Sequence, residues 1–164
     1  MINDANRKWW VLAAGGLSLA IISLDEIFIG VALPTIRDEL GLSQLSAQWV
    51  VNSYVLGLTA FVAAGGRLGD LLGHGRVFIS GAVVLLLGTV AAGFAESGGW
   101  LIAARAVQGM GTATMLSLGI AMIGLAFAEN ERGQAVGIYG LLAAVPSAAA
   151  PFVGGALTDL DSGG

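Results

Sequence analysis

The sequence predicts an all-α integral membrane protein of about five transmembrane helices with a cytoplasmic N-terminus. Three observations predict it: charges too few for a water-covered surface, five apolar runs of bilayer-spanning length, and basic residues gathered on one side. Of 164 residues, 56% are hydrophobic and only 11% are charged. A soluble domain carries about 25% charged residues. The seven basic and eleven acidic residues (7 + 11 = 18) cannot cover a surface of this size. A mean hydropathy of +0.84 agrees. The net charge of −4, with no basic patch, gives no footing for nucleic acid. The absence of cysteine removes disulfides, zinc–thiolate sites and cysteine nucleophiles.

A membrane-spanning helix needs about 20 predominantly apolar residues. Five stretches qualify, near residues 9–33, 47–66, 77–95, 100–124 and 134–157, and we expect them to form a single domain over 1–164. The first resembles a secretory leader because Arg7 and Lys8 precede it. No small-residue cleavage site follows, and the apolar run resumes past Asp25 and Glu26, so it reads as a retained span. With the N-terminus inside, Arg7, Lys8, Arg67, Arg76 and Arg132 are cytoplasmic and Arg37 alone falls in an outer loop. That asymmetry sets the orientation and places the tail TDLDSGG outside. Trp9, Trp10, Trp49 and Trp100 fall at span ends, where indole rings favour the interface. The expected location is the plasma membrane, crossed several times, with the lipid bilayer as the main surrounding.

Ionisable groups at membrane depth carry the functional signal. An Asp or Arg at the centre of a lone helix costs about 2.5–3.5 kcal/mol on insertion scales. Asp25 and Glu26 sit in the first span, and Arg105 and Gln108 in the fourth. From the helical rise, Asp25 lies about 12–14 Å inward from Pro34 and Arg105 about 8 Å inward from Trp100. The two are close enough in depth to pair if their helices are neighbours. One reading makes Asp25 a proton- or cation-responsive carboxylate with Arg105 as its partner; the other makes them an ion pair that fixes packing. The first is favoured because intramembrane charges mark pathways and relays. Glu26, one helical step of about 100° away, is expected to contribute less. Asn52, Tyr54 and Thr59 can line a polar route or simply join helices.

The fifth span carries small residues at Gly133, Gly137, Gly140, Ala144, Ala148, Ala150, Gly154 and Gly155, a spacing that suits close helix approach. Pro146 and Pro151 remove backbone donors there and predict a bend. Catalytic chemistry finds no support, and neither a cofactor nor a metal is expected. Ser18 in GLSLA lacks a strand–turn–helix setting, His74 is the sole histidine, and GRLGD has no Lys-Ser/Thr ending.

Four stretches resemble motifs of the major facilitator superfamily. GRLGDLLGHGR, Gly66 to Arg76, resembles the loop between spans two and three, G-x-L-a-D-r-x-G-r-r, through Gly66, Leu68, Asp70 and Gly73. LIAARAVQGMG resembles the fourth-span motif through Leu101, Arg105, Gln108, Gly109 and Gly111. APFVGG resembles the end of the antiporter motif through Pro151, Gly154 and Gly155. LDEIFIGVALP resembles the first-span motif of the fourteen-span drug:proton antiporters, L-D-x-T-I-V-N-V-A-L-P. Their order along the chain makes the resemblance specific.

The resemblance implies proton-coupled efflux of drug-like small molecules. It assigns Asp25, Arg105 and Gln108 to proton coupling and Gly66, Asp70, Gly73 and Arg76 to a cytoplasmic gate loop. Pro151, Gly154 and Gly155 become an antiporter hinge. Departures are Leu71, His74 and Gly75 in place of basic residues, Ile27 and Gly30 in place of Thr and Asn, and Pro146 and Ala150 in place of glycines. Such transporters enclose substrate between two six-span halves, each built of three-span repeats. Five spans amount to part of an amino-terminal half. The expectation is therefore a truncated portion that transports only with other spans, from a second polypeptide or a homo-oligomer. The alternatives are a non-transporting protein that associates with a full-length relative, or a remnant without function.

Overall fold

The computed structural model describes residues 4–161, with side-chain surroundings for 6–142, 144, 145 and 148. It consists of five helices in chain order: α1 (Asp4–Glu39), α2 (Gln44–Leu72), α3 (His74–Gly93), α4 (Gly98–Ala126) and α5 (Glu129–Asp161). Among the described residues, α1 to α4 are each long and apolar enough to cross a membrane. At about 1.5 Å per residue, the 36-residue α1 is about 54 Å long and exceeds a hydrocarbon core of about 30 Å. The helix runs straight through the expected stop at Pro34.

The helix ends follow local chemistry. Gly41, with φ of 59°, closes α1 as its left-handed cap. Leu42 N–H donates to the Arg37 carbonyl at 2.8 Å, the long bond of a Schellman motif. Ser43 caps α2 by accepting from the Ser46 amide at 3.1 Å, and Ser97 caps α4 by accepting from Trp100 at 3.4 Å. The acidic first turn of α5, Glu129 and Glu131, suits the positive end of the helix dipole.

α4 is the centre of the assembly and packs along α2 and α3, with α1 and α5 also against it. Its burial pattern is the reverse of a soluble helix: Arg105, Gln108 and Thr112 are among the most completely buried side chains. Phe28, Val55, Leu56, Ile79, Leu86 and Leu87 face outward. That is the arrangement expected where lipid replaces water.

Glycines set the spacing. A Cβ on Gly109 would strike the Tyr54 carbonyl of α2, and one on Gly111 would sit 2.5 Å from the Leu85 amide of α3. Gly57, Gly65, Gly81 and Gly88 face α4 in the same way. The expected close-packing stripe of the fifth span is different. Gly133, Gly137 and Gly140 face open space. α5 packs instead through Ala135 and Tyr139. The Tyr139 ring lies on Gly15 and Gly119, and Leu142 lies on Gly16, so the small residues belong to the receiving helices.

The segment Gly66–Arg76 is not a loop. α2 continues to Leu72, Gly73 alone breaks the helix at φ 96° and ψ 125°, and α3 begins at His74. Only glycine adopts that φ cheaply.

Candidate functional site: a buried ion cluster

The guanidinium of Arg105 is the focus of the site, with its side chain only 2% exposed. Burying a cation is unfavourable unless it is paired and hydrogen-bonded. Here Nη1 donates to Asp25 Oδ2 at 2.5 Å and to Gln108 Oε1 at 3.2 Å. Nη2 donates to Glu26 Oε1 at 3.3 Å. The Arg105 Cζ also lies 4.3 Å from the centre of the Tyr54 ring, a cation–π distance. Nε is buried with no hydrogen-bond partner among the described residues.

The network extends through three hydroxyls, those of Thr89, Tyr54 and Thr112. Gln108 Nε2 donates to Thr89 Oγ1 at 2.9 Å and, more weakly, to Asp25 Oδ1 at 3.4 Å. Thr89 gives its own proton to the Leu85 carbonyl at 2.9 Å, so towards Gln108 it acts as an acceptor. Tyr54 O–H and Thr112 Oγ1 lie 3.1 Å apart, with the phenol as donor. The cluster therefore ties α1, α2, α3 and α4 together at one depth.

Asp25 and Arg105 were expected to meet from depth alone, and they do. Glu26 was expected to contribute less because it is rotated from Asp25. It does take the second nitrogen of the guanidinium fork, but at 3.3 Å and with greater exposure than Asp25, so it is the weaker of the two partners. Two carboxylates thus face one guanidinium, and with both ionised the formal sum is −1 − 1 + 1 = −1. The carboxylates are accessible, at 24% and 42% side-chain exposure. Asp25, Thr89, Arg105 and Gln108 also line a crevice of about 190 Å³ between α1, α3 and α4.

Thr89 and Thr112 escaped the sequence analysis. A weak signal for Thr89 exists: it lies about 6 Å inside the end of α3 at Gly93, and Arg105 about 10.5 Å inside the start of α4 at Gly98.

The remaining candidates lie elsewhere. Asp70 on α2 pairs with His74 at 3.4 Å, across the break at Gly73. Arg76, expected as its companion, is exposed, with no ion pair found among the described residues. Gly66 and Gly73 face open space, and Gly69 is the glycine of this stretch that packs, against Leu118. Asp70 is 16 residues, or about 24 Å along α2, from Tyr54, so these groups form a separate region. Pro151, Gly154 and Gly155 belong to α5, but their side-chain surroundings lie outside the described residues. Asn52 is exposed, and Thr59 bonds the Val55 carbonyl of its own helix at 2.9 Å. Ser18 does the same to Ala14 at 2.7 Å.

Comparison with known proteins gives a consistent picture. A family model described as Major Facilitator Superfamily matches residues 15–162. A puromycin resistance protein of Streptomyces alboniger is 34% identical over 154 residues, covering 93% of this chain and 31% of that protein. A multidrug resistance protein of Mycobacterium tuberculosis is 37% identical over 149 residues, covering 90% and 28% respectively. A cephamycin export protein of Amycolatopsis lactamdurans is 41% identical over 140 residues, covering 85% and 29%. The chain thus spans less than a third of the length of these curated relatives.

Proposed function

The chain belongs to the major facilitator superfamily, and from that premise we propose that it serves the proton-coupled export of drug-like small molecules across the plasma membrane. It acts there as an amino-terminal portion of the working transporter. The observation that carries the proposal is the pairing of Asp25 and Glu26 with the buried Arg105. Two accessible carboxylates on one buried cation give this cluster one more acidic group than basic at membrane depth, an excess that suits a proton-exchanging site. Asp25, Arg105 and Gln108 are the coupling residues in this reading. Glu26, Thr89 and Tyr54 hold them in place.

The relatives named as resistance or export proteins support the drug-like class of substrate. Because the chain spans less than a third of their length, the central substrate cavity is proposed to need further spans, from a longer polypeptide or another copy. Asp70 and Arg76 are proposed to act at the cytoplasmic face, and Pro151, Gly154 and Gly155 as a hinge in α5.

The test is gradient-driven dye efflux in proteoliposomes, with the chain alone and with the chain embedded in a full-length relative in place of the matching segment. Efflux is expected only in the second case, and Asp25→Asn should abolish it. Efflux that survives Asp25→Asn unchanged would remove Asp25 from coupling.

A further inference from the structure

A second recess lies at the end of α1 and α2 remote from Lys8, where the two helices touch only briefly. Its volume is about 630 Å³, within the usual range of about 300–1,000 Å³ for small-ligand sites. Leu33 supplies an apolar wall, and the polar lining is Arg37 from α1 with Gln44, Gln48 and Asn52 from α2. No carboxylate lines the recess.

Register explains the grouping. Gln44, Gln48 and Asn52 recur every four residues and so stand in one row on α2. The row descends about 12 Å from the helix start, into apolar depth. Polar groups there need partners. Ser53 and Thr59 of the same helix bond their own backbone carbonyls. Arg37 and the three carboxamides are exposed in the recess, and no side-chain hydrogen bond within the chain is found for them among the described residues. Gly30 forms part of the lining, and a Cβ there would meet nothing within 4 Å. Where the first-span motif it resembles has Asn, the glycine leaves the recess open.

We propose that this recess binds the anionic head of an amphiphile. Arg37 makes forked bonds to a phosphate or carboxylate, the carboxamides donate from α2, and the apolar tail runs along Leu33 towards Gly30. A guanidinium fork matches such an anion, and the adjoining N–H donors contribute without competing charge. The ligand chemistry is that of an anionic lipid headgroup or of a free acidic amphiphile. The lining residues all come from α1 and α2, so the proposal does not depend on the chain's role in transport.

The experiment uses the full chain in phosphatidylcholine nanodiscs, with and without a minor fraction of phosphatidylglycerol. Lipid retained by the protein is read by native mass spectrometry, and binding of dodecyl phosphate is titrated in the discs lacking phosphatidylglycerol. A lipid site enriches phosphatidylglycerol over the bulk; a site for free amphiphiles binds dodecyl phosphate saturably without that enrichment. In either case Arg37→Gln should weaken binding about tenfold or more, as expected for losing charge-assisted hydrogen bonds. Gly30→Leu should block the recess to a similar extent while leaving helicity and thermal stability unchanged, since its side chain enters open space. Arg37→Lys should retain part of the affinity. Absence of both enrichment and saturable binding, or binding that survives Arg37→Gln and Gly30→Leu alike, overturns the proposal.

Discussion

The guanidinium carbon of Arg105 lies 4.3 Å from the centre of the Tyr54 ring, so a cation shared by two carboxylates of α1 also rests on an aromatic face of α2. Each of these partners compensates part of the cost of burying the charge, and none does so alone.

Removing the cation should therefore be worse than removing the whole cluster. Arg105→Ala leaves two carboxylates facing each other at membrane depth. Breaking a buried pair costs about 3–5 kcal/mol, and the partial exposure of Asp25 and Glu26 puts the expected loss near the low end. Adding Asp25→Ala and Glu26→Ala to Arg105→Ala should recover part of the loss. Thermal unfolding in detergent, analysed as a mutant cycle, checks it; strict additivity would show that the three groups are not coupled.

Glycine positions should divide sharply by what their missing Cβ would meet. Gly109→Ala drives a methyl group into the Tyr54 carbonyl and should cost about 1–3 kcal/mol by overpacking. Gly133→Ala meets nothing within 4 Å and should be neutral or stabilising by up to about 1 kcal/mol through helix propensity. Melting temperatures of the two variants in one detergent decide the matter. Equal effects would contradict the described α2–α4 contact.

The break between α2 and α3 should depend on a single residue. Gly73→Ala places a Cβ at φ 96° and should cost about 1–2 kcal/mol, whereas Gly75→Ala, inside α3 and facing open space, should not. Helicity and melting of the two variants provide the comparison. A stable, fully helical Gly73→Ala protein would mean that the junction tolerates another conformation.

Several of these features were legible in the sequence, and the failures have identifiable causes. The five apolar runs and the matching depth of Asp25 and Arg105 follow from length and rise; that the two pair follows from the packing of α1 on α4. The lesser part expected of Glu26 matches its longer contact and greater exposure, but a rotation of one residue does not show that it still reaches the guanidinium. An extra methylene and a forked partner let it make that contact despite the rotation. Thr89 was hidden because its hydroxyl bonds its own backbone and looks satisfied in isolation. The small-residue row of α5 suggested a packing face, yet a row of glycines fits both a tight contact and an unused surface. Only the position of Tyr139 and Leu142 against Gly15, Gly16 and Gly119 decides between the two. The junction at Gly73 was read as a loop because its charges and glycines look like one, although helical residues occupy both sides.

The glycine contacts of α4 have a mechanical corollary. α2 and α3 meet α4 backbone to backbone, through Gly57, Gly65, Gly81, Gly88, Gly109 and Gly111, and interlocking of that kind resists sliding. α1 meets α5 instead through side chains, by the Lys8–Glu131 pair at 2.7 Å and by Tyr139 and Leu142 lying on Gly15 and Gly16. The α2–α3–α4 contacts are thus set by backbone approach, and those of α1 with α4 by side chains, among them Ile22 in the core and the ion cluster. Asp25 and Glu26 stand on α1 and Arg105 on α4, so any change in their charge alters the attraction between a side-chain-packed helix and a backbone-interlocked block.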